Sequence, residues 1–274
     1  MHETPGATTI APGVSFCTHR MLTAHIHVWS TFLRDTTDEA LLRRYRALLT
    51  HEEQQQEPRF RFLRDRIRYV VTRALVRTTL SRYASISPAE WVFTKNAHGK
   101  PAIANDDAEA RALHFNVTHT AGLVSVGACH SRELGIDAES LAARQPSVEL
   151  ADRYFTPDEA AALRALPEQE RHARFLETWT LKESYIKARG MGLSMPLDRF
   201  GFRFTDAGKV ELSTSPELHD DAGRWLFWQF QLGTEHVLAV CAERTTLQPQ
   251  LVMRAVVPFV SEQELNLAPS RTSF

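Results

Sequence analysis

The chain has 274 residues, of which 43% are apolar and 24% charged. Those are ordinary globular proportions, which exclude a disordered, collagen-like or coiled-coil chain, and the length suits one or two domains. Its 32 Lys and Arg stand against 33 Asp and Glu, a formal charge of −1 that argues against a whole-protein polyanion binder but leaves room for a local basic patch. Cys17, Cys129 and Cys241 are odd in number and widely spaced, so a disulfide framework or structural zinc is not expected. No apolar run approaches the roughly 18 residues of a membrane span. The N-terminus lacks the basic and apolar regions of a signal peptide. A soluble cytoplasmic protein is expected.

Residues 1–20, rich in Thr, Pro and Gly, read as a flexible arm. His25-Ile26-His27-Val28-Trp29 alternates as a strand does. Asp38 to Leu49 carries apolar residues at helical spacing, and Thr50-His51-Glu52-Glu53 has the form of a capping box opening a second helix. Residues 58–82 predict an amphipathic helix on the stripe Ile67, Val70, Val71, Ala74 and Leu75. This segment holds Arg59, Arg61, Arg64, Arg66, Arg68, Arg73, Arg77 and Arg82 against Asp65 alone, a local charge of +7. It reads either as a solvated face or as a place where some arginines meet phosphate. Trp91-Val92-Phe93 is strand-like, and Asn96 to Pro101 is a turn. His114 to Val117 and Leu123 to Cys129 are strands, joined through Thr118-His119-Thr120-Ala121-Gly122. Glu133 to Glu139 alternates again. Thr156-Pro157-Asp158-Glu159 starts a helix, and residues 169–189 form a long helix closed by Gly190. Phe200–Phe204 and Val210–Ser213 flank the turn Asp206-Ala207-Gly208-Lys209, and Arg224–Leu232 with His236–Ala242 make a second hairpin. The expected organisation is an N-terminal α+β half over 21–132, a C-terminal α+β half over 133–244 and a tail over 245–274, of which part packs. The fold class is α+β with small, mainly antiparallel sheets.

Three constellations could carry chemistry. Asp137 and Glu139, two apart on a strand, share a face. Their mutual repulsion favours a cation between them, and hard carboxylate oxygens suit Mg²⁺. Alone, the pair reads more readily as solvated acids on an exposed strand end. Trp179, Glu183 and Lys187 share a helix face at i, i+4 and i+8, with Lys182 on the flank. A plain surface Glu183–Lys187 pair is the simpler reading. A third carboxylate beside lysines would otherwise complete a metal-plus-phosphate site, with Lys182 or Lys187 on phosphate oxygens. In Phe115-Asn116-Val117-Thr118-His119-Thr120, Thr118 and His119 could donate to a phosphate, act as nucleophile and base, or be a plain strand-end turn. No G-x-S-x-G elbow, P-loop, dinucleotide fingerprint, zincin motif or EF-hand loop is present.

Four motifs then line up in order: Gly99-Lys100-Pro101, Phe115-Asn116-Val117-Thr118-His119, Gly135-Ile136-Asp137-Ala138-Glu139, and Trp179-Thr180-Leu181-Lys182-Glu183-Ser184-Tyr185-Ile186-Lys187. Together they resemble the Sfp-type 4′-phosphopantetheinyl transferases over roughly residues 55–243, and Gly192-Leu193-Ser194 fits as well. The resemblance implies a pseudo-dimer of two similar α+β subdomains with coenzyme A, the co-substrate, in the cleft between them. It implies Mg²⁺-dependent transfer of the 4′-phosphopantetheine arm to a serine of an apo acyl, polyketide or peptidyl carrier protein, with adenosine 3′,5′-bisphosphate leaving. Asp137, Glu139 and Glu183 would hold Mg²⁺, with Mn²⁺ as a substitute. Glu183 would activate the serine, and Lys187 and Lys182 would assist on phosphate. Arg68, Lys100, Thr118 and His119 would bind the 3′-phosphate and ribose side, His119 in its protonated form. Thr118 stands where Ser is common, which keeps a hydroxyl donor. The stretch His51 to Glu57 lacks the basic residues some members carry there, leaving Arg59 or Arg61 to compensate.

The carrier-facing rim is expected after residue 140 and on the C-terminal half of the 169–189 helix, and the protein is expected to be monomeric. The competing readings are a Mg²⁺-dependent phosphohydrolase of coenzyme A or a nucleotide, a nucleic-acid binder using the arginine-rich helix, and an inactive carrier-binding homologue.

Overall fold

The computed structural model describes residues 25–142, 148–205 and 207–274. The expected N-terminal arm and Asp206 of the predicted hairpin turn lie outside them.

In the first half, β1 (His25–Phe32) leads into α1 (Glu39–Arg46), α2 (His51–Gln56) and α3 (Leu63–Leu80). A small hairpin of β2 (Phe93–Lys95) and β3 (Pro101–Ile103) follows, then the short α4 (Ala108–Arg111), β4 (Leu113–Thr120) and β5 (Leu123–His130). In the second half, β6 (Leu134–Ser140) is followed by α5 (Val148–Tyr154), α6 (Pro157–Ala165) and the long α7 (Glu168–Arg189). The hairpins β7 (Phe200–Phe204) with β8 (Val210–Thr214), and β9 (Trp225–Leu232) with β10 (His236–Glu243), come next. β11 (Gln250–Val257), β12 (Ser261–Leu265) and β13 (Arg271–Thr272) complete the chain.

Local chemistry accounts for the element ends. Asp38 caps α1 by accepting the Leu41 N–H. Thr50 and Thr156 each close a reciprocal capping box, with Glu53 and Glu159, as the sequence pattern predicts. Gly190 ends α7 at φ +64°, a left-handed conformation that glycine adopts without a Cβ penalty.

The first sheet has the order β12-β11-β1-β5-β4, with β1 and β11 parallel and the other neighbours antiparallel. The second is the antiparallel set β13-β9-β10-β6. The strands alternate between two cores. In β1 and β5, Trp29, Val124, Val126 and Ala128 pack against Leu75 and Val71 of α3 and Tyr45 of α1. Ile26, Val28 and Leu123 face the other way, onto Ile136, Leu238, Val240 and Trp228 of the second sheet. The far face of that sheet meets Leu181 and Tyr185 of α7 through Phe227, Ala239 and Cys241. The layers therefore run helix, sheet, sheet, helix, the α+β class expected from the sequence. With both faces buried, the central strands are apolar on both sides; all of β5 is buried.

Residues 245–274, read from the sequence as a partly packing tail, contribute strands to both sheets. β11 lies against β1, and Thr31 Oγ1 donates to the Val256 carbonyl at 2.7 Å. Arg82 on the segment after α3 pairs with Glu262 on β12 at 2.7 Å. β13 extends the second sheet alongside β9.

Candidate active site

On β6, Gly135, Asp137 and Glu139 lie on one face, and Leu134, Ile136 and Ala138 face the apolar core. α7 rests directly on the first face. A Cβ at Gly135 would stand 2.0 Å from the Ser184 carbonyl oxygen and 2.3 Å from the Ala188 nitrogen, so only glycine lets the helix come this close. The contact brings Glu183 and Lys187, flanking Ser184 on α7, over the acids of β6. Lys187 Nζ donates to Asp137 Oδ1 at 2.6 Å and to the Ile136 carbonyl at 3.1 Å. The Asp137 side chain is buried, and its Oδ2 has no hydrogen-bond partner.

The opposite edge of β6 meets β4. Asn116 Oδ1 accepts the Ile136 N–H at 2.9 Å. Thr118 Oγ1 accepts the Ala138 N–H at 3.2 Å and donates to Asp137 Oδ1 at 3.1 Å. Thr120 Oγ1 accepts the Ser140 N–H at 3.2 Å and donates to Glu139 Oε2 at 3.1 Å. Thr118 to Thr120, expected in a connecting loop, are strand residues; the turn itself is only Ala121-Gly122. That alternation points Thr118 and His119 to opposite faces.

Electrostatics marks the acids. Glu183 is pushed up to about 7, first by burial and then by the neighbouring Asp137 charge. Glu139 is also raised, for the same two reasons in the same order. Carboxylates held together at this cost are groups on which a cation would have a large effect.

Two cavities flank the cluster. One, of about 240 Å³, is lined by His98 to Pro101 from the β2–β3 turn, Asn116 and Val117 of β4, Glu183, Ile186 and Lys187 of α7, and Gly190 and Gly192. The other, of about 210 Å³, is lined by Phe60, Asp65, Arg68, Tyr69, Thr72, Arg73, Val117 and His119. Val117 borders both. Arg68 is paired with Asp65 at 3.0 Å, and Arg73 approaches Glu53 at 3.4 Å and lies over the Tyr69 ring. His119 is held below its usual pKa, first by partial burial and then by the Arg68 charge, so with nothing bound the ring favours its neutral form. The protonated state expected for it needs an anion to offset Arg68. A larger cavity of about 530 Å³, between α6, α7 and the β7–β8 hairpin, touches none of the β6 acids.

Among the predicted site residues, Asp137, Glu139, Glu183, Lys187 and Thr118 come together. Lys100 borders the first cavity, where its ammonium bonds Glu133 at 2.8 Å and the Ala188 carbonyl at 3.0 Å. Arg68 and His119 share the second cavity. Lys182 stands apart from them. Its side chain is fully buried on the other flank of α7, bonded to Glu159 at 2.7 Å and the Phe200 carbonyl at 2.6 Å. It clamps α6 and β7 onto α7, and its charge is spent there. The site residues expected from the sequence leave out Tyr69, and they include Asn116 and Thr120 only as part of the Phe115–Thr120 segment and Arg73 only as one of the arginines of residues 58–82. Period-two alternation from Thr118 reaches Thr120 and Asn116, and helical spacing from Asp65 reaches Tyr69 at i+4 and Arg73 at i+8, with Arg68 at i+3 on the same face.

Among the described residues, no three His, Cys, Asp or Glu side chains are grouped so as to enclose a metal ion by themselves. Mg²⁺ rarely asks for such a cage; it typically uses one or two carboxylates with waters and substrate phosphates. The unpartnered, buried Asp137 Oδ2, with Glu139 and Glu183 raised nearby, is a donor set that fits it.

Three acids and a lysine where α7 meets β6, beside an arginine–histidine cavity, are groups suited to an enzyme that handles phosphate. A family model described as the 4′-phosphopantetheinyl transferase superfamily matches residues 133–241, and one described as 4′-phosphopantetheinyl transferase, N-terminal, matches residues 36–131. The chain belongs to the 4′-phosphopantetheinyl transferase family. It is 33% identical to a 4′-phosphopantetheinyl transferase of Bacillus subtilis over 200 residues, covering 73% of this chain and 84% of that one. It is 31% identical to 4′-phosphopantetheinyl transferase HetI of Nostoc sp., covering 72% and 81%, and 30% identical to 4′-phosphopantetheinyl transferase Sfp of Bacillus subtilis, covering 77% and 89%.

Proposed function

We propose that this enzyme transfers the 4′-phosphopantetheine arm of coenzyme A to a serine hydroxyl of an apo carrier protein, and that Asp137, Glu139 and Glu183 hold the Mg²⁺ it uses. The observation that carries the metal assignment is the buried, unpartnered Asp137 Oδ2 beside two carboxylates of raised pKa. The bound ion would supply Lewis-acid stabilisation of pyrophosphate charge.

The remaining chemistry belongs to the chain's own residues. Lys187 binds pyrophosphate oxygen, sharing its ammonium between Asp137 and the substrate. Lys100 stands at the rim of the same cavity. Arg68, His119 and Arg73 form the basic end, which suits the 3′-phosphate, with Tyr69 as a flat surface beside it. Phosphate arriving there raises the His119 pKa by opposing Arg68. Glu183, ionised beside the cation, takes the proton of the serine hydroxyl. The serine oxygen forms its bond to the phosphorus carrying pantetheine as the bridging P–O bond to adenosine 3′,5′-bisphosphate breaks, so the products are holo-carrier and the bisphosphate.

The test is intact mass spectrometry of an apo acyl, polyketide or peptidyl carrier after incubation with the protein, coenzyme A and Mg²⁺. The expected result is a gain of about 340 Da, one phosphopantetheine arm, abolished by EDTA. Release of the bisphosphate with no gain on any carrier would replace this reading with hydrolysis of coenzyme A.

A further inference from the structure

β4 is the last strand of the first sheet and β6 the last of the second. They meet through side chains of one strand and backbone of the other. Asn116, Thr118 and Thr120, at every second position of β4, take the N–H groups of Ile136, Ala138 and Ser140, at every second position of β6. A threonine oxygen that accepts an N–H has its single proton left to give. In both threonines that proton goes to an acid on β6: Thr118 to Asp137 and Thr120 to Glu139. Asn116 makes the same backbone contact without touching an acid.

We infer that Thr120 is a positioning residue that holds Glu139 for the metal, as Thr118 holds Asp137. One hydroxyl reads the backbone of β6 and fixes the carboxylate attached to it, so the carboxylate is aligned by the same hydroxyl that joins the two sheets. Thr120 ties Glu139 Oε2 and leaves Oε1 to turn toward a cation. Thr118, with Lys187, ties Asp137 Oδ1 and leaves the buried Oδ2 without a partner. Groups bonded to metal-holding carboxylates orient them, and removing such a partner weakens metal affinity about 10–100-fold. Thr118 on this account acts on the acid and does not reach the phosphate beside His119. The inference rests on the metal assignment proposed above.

The experiment is Mn²⁺ binding to the full-length protein with coenzyme A present, read by the free-ion electron paramagnetic resonance signal. Thr120→Val is expected to weaken binding about tenfold or more, while Thr120→Ser keeps it near wild type. In a Glu139→Gln background, Thr120→Val is expected to cost no further affinity, because its effect passes through that carboxylate. Affinity unchanged in Thr120→Val, or the full loss repeated in the Glu139→Gln background, would overturn the inference. Wild-type protein that takes up no Mn²⁺ would overturn the metal assignment itself along with it. If Thr120→Val does not fold with the Ser140 N–H left dry, Thr120→Ala leaves room for a water there and carries the same expectations.

Discussion

Glu183 shows what its position costs the fold. Burial and the Asp137 charge disfavour its ionised form, so above about pH 7 its charge opposes folding in the absence of a cation. Glu183→Gln is therefore expected to lower carrier modification by about 10²–10³-fold while the protein stays as stable as wild type, or more so, at pH 8. Carrier mass spectrometry and a urea transition on the same preparation check both halves. His27 offers a pH test away from the acids. It is buried on β1, with Nδ1 2.7 Å from the Tyr83 hydroxyl, which also accepts the Trp29 indole N–H at 2.8 Å. Burial first, then the Arg254 and His25 charges, lower its pKa from 6.5 to about 3. The folded protein keeps it neutral while the unfolded chain protonates it. Its contribution to stability is complete above pH 6.5 and is lost as the pH falls toward about 3. His27→Gln should lose less stability than wild type between pH 7 and pH 4.5 in urea titrations.

At the scale of elements, the site depends on how α7 is seated. Gly135 sets its distance from β6, so Gly135→Ala drives a methyl into backbone that cannot yield locally. A loss of about 3 kcal/mol or more is expected in urea unfolding, together with loss of transfer. Lys182 sets the other flank. Lys182→Ala leaves Glu159 buried with one partner gone, and breaking a pair of this kind costs about 3–5 kcal/mol. Because Lys182 stands away from the β6 acids, the fraction that stays folded is expected to retain its KM for coenzyme A; a KM rise of about tenfold would return Lys182 to the substrate site. The sequence placed Lys182 and Lys187 in one motif as equals. Helix phase alone does not say which flank meets strand β6 and which meets β7, and the two lysines went to different neighbours.

Across the whole molecule, the last thirty residues matter more than the family models suggest. Those models end at residue 241, yet β11 separates β1 from β12, and β13 borders β9. Truncation after Arg244 exposes one edge of β1 and uncovers Met253 and Val256 partners in two cores. The shortened chain is expected to lose its cooperative thermal transition and to aggregate, since a long apolar edge strand is left open. A soluble, cooperatively unfolding 1–244 fragment would show that β11 to β13 are accessory. The arginine-rich segment divides at this scale. Arg77 is buried against Glu53 and Arg82 meets Glu262, so two acids from outside the segment offset part of its local +7, while Arg66 bonds the neutral Phe60 carbonyl.

The sequence by itself determined what depends on neighbours along the chain. Capping boxes at Thr50 and Thr156, the glycine stop at Gly190, the alternation that pairs Asp137 with Glu139, and the hairpins of the second half all arise from contacts a few residues long. Ordered motifs at these spacings also sufficed to indicate the family. Only the tertiary structure decided the rest. Thr118 and Thr120 read as loop residues because nothing near them in sequence supplies the N–H groups they accept; those come from β6, about twenty residues on. β11 found a parallel partner in β1 more than two hundred residues away, a pairing that no local pattern encodes. Local hydrogen bonding and periodicity write the elements, whereas the choice of neighbour is made by burial, and burial is a property of the assembled fold.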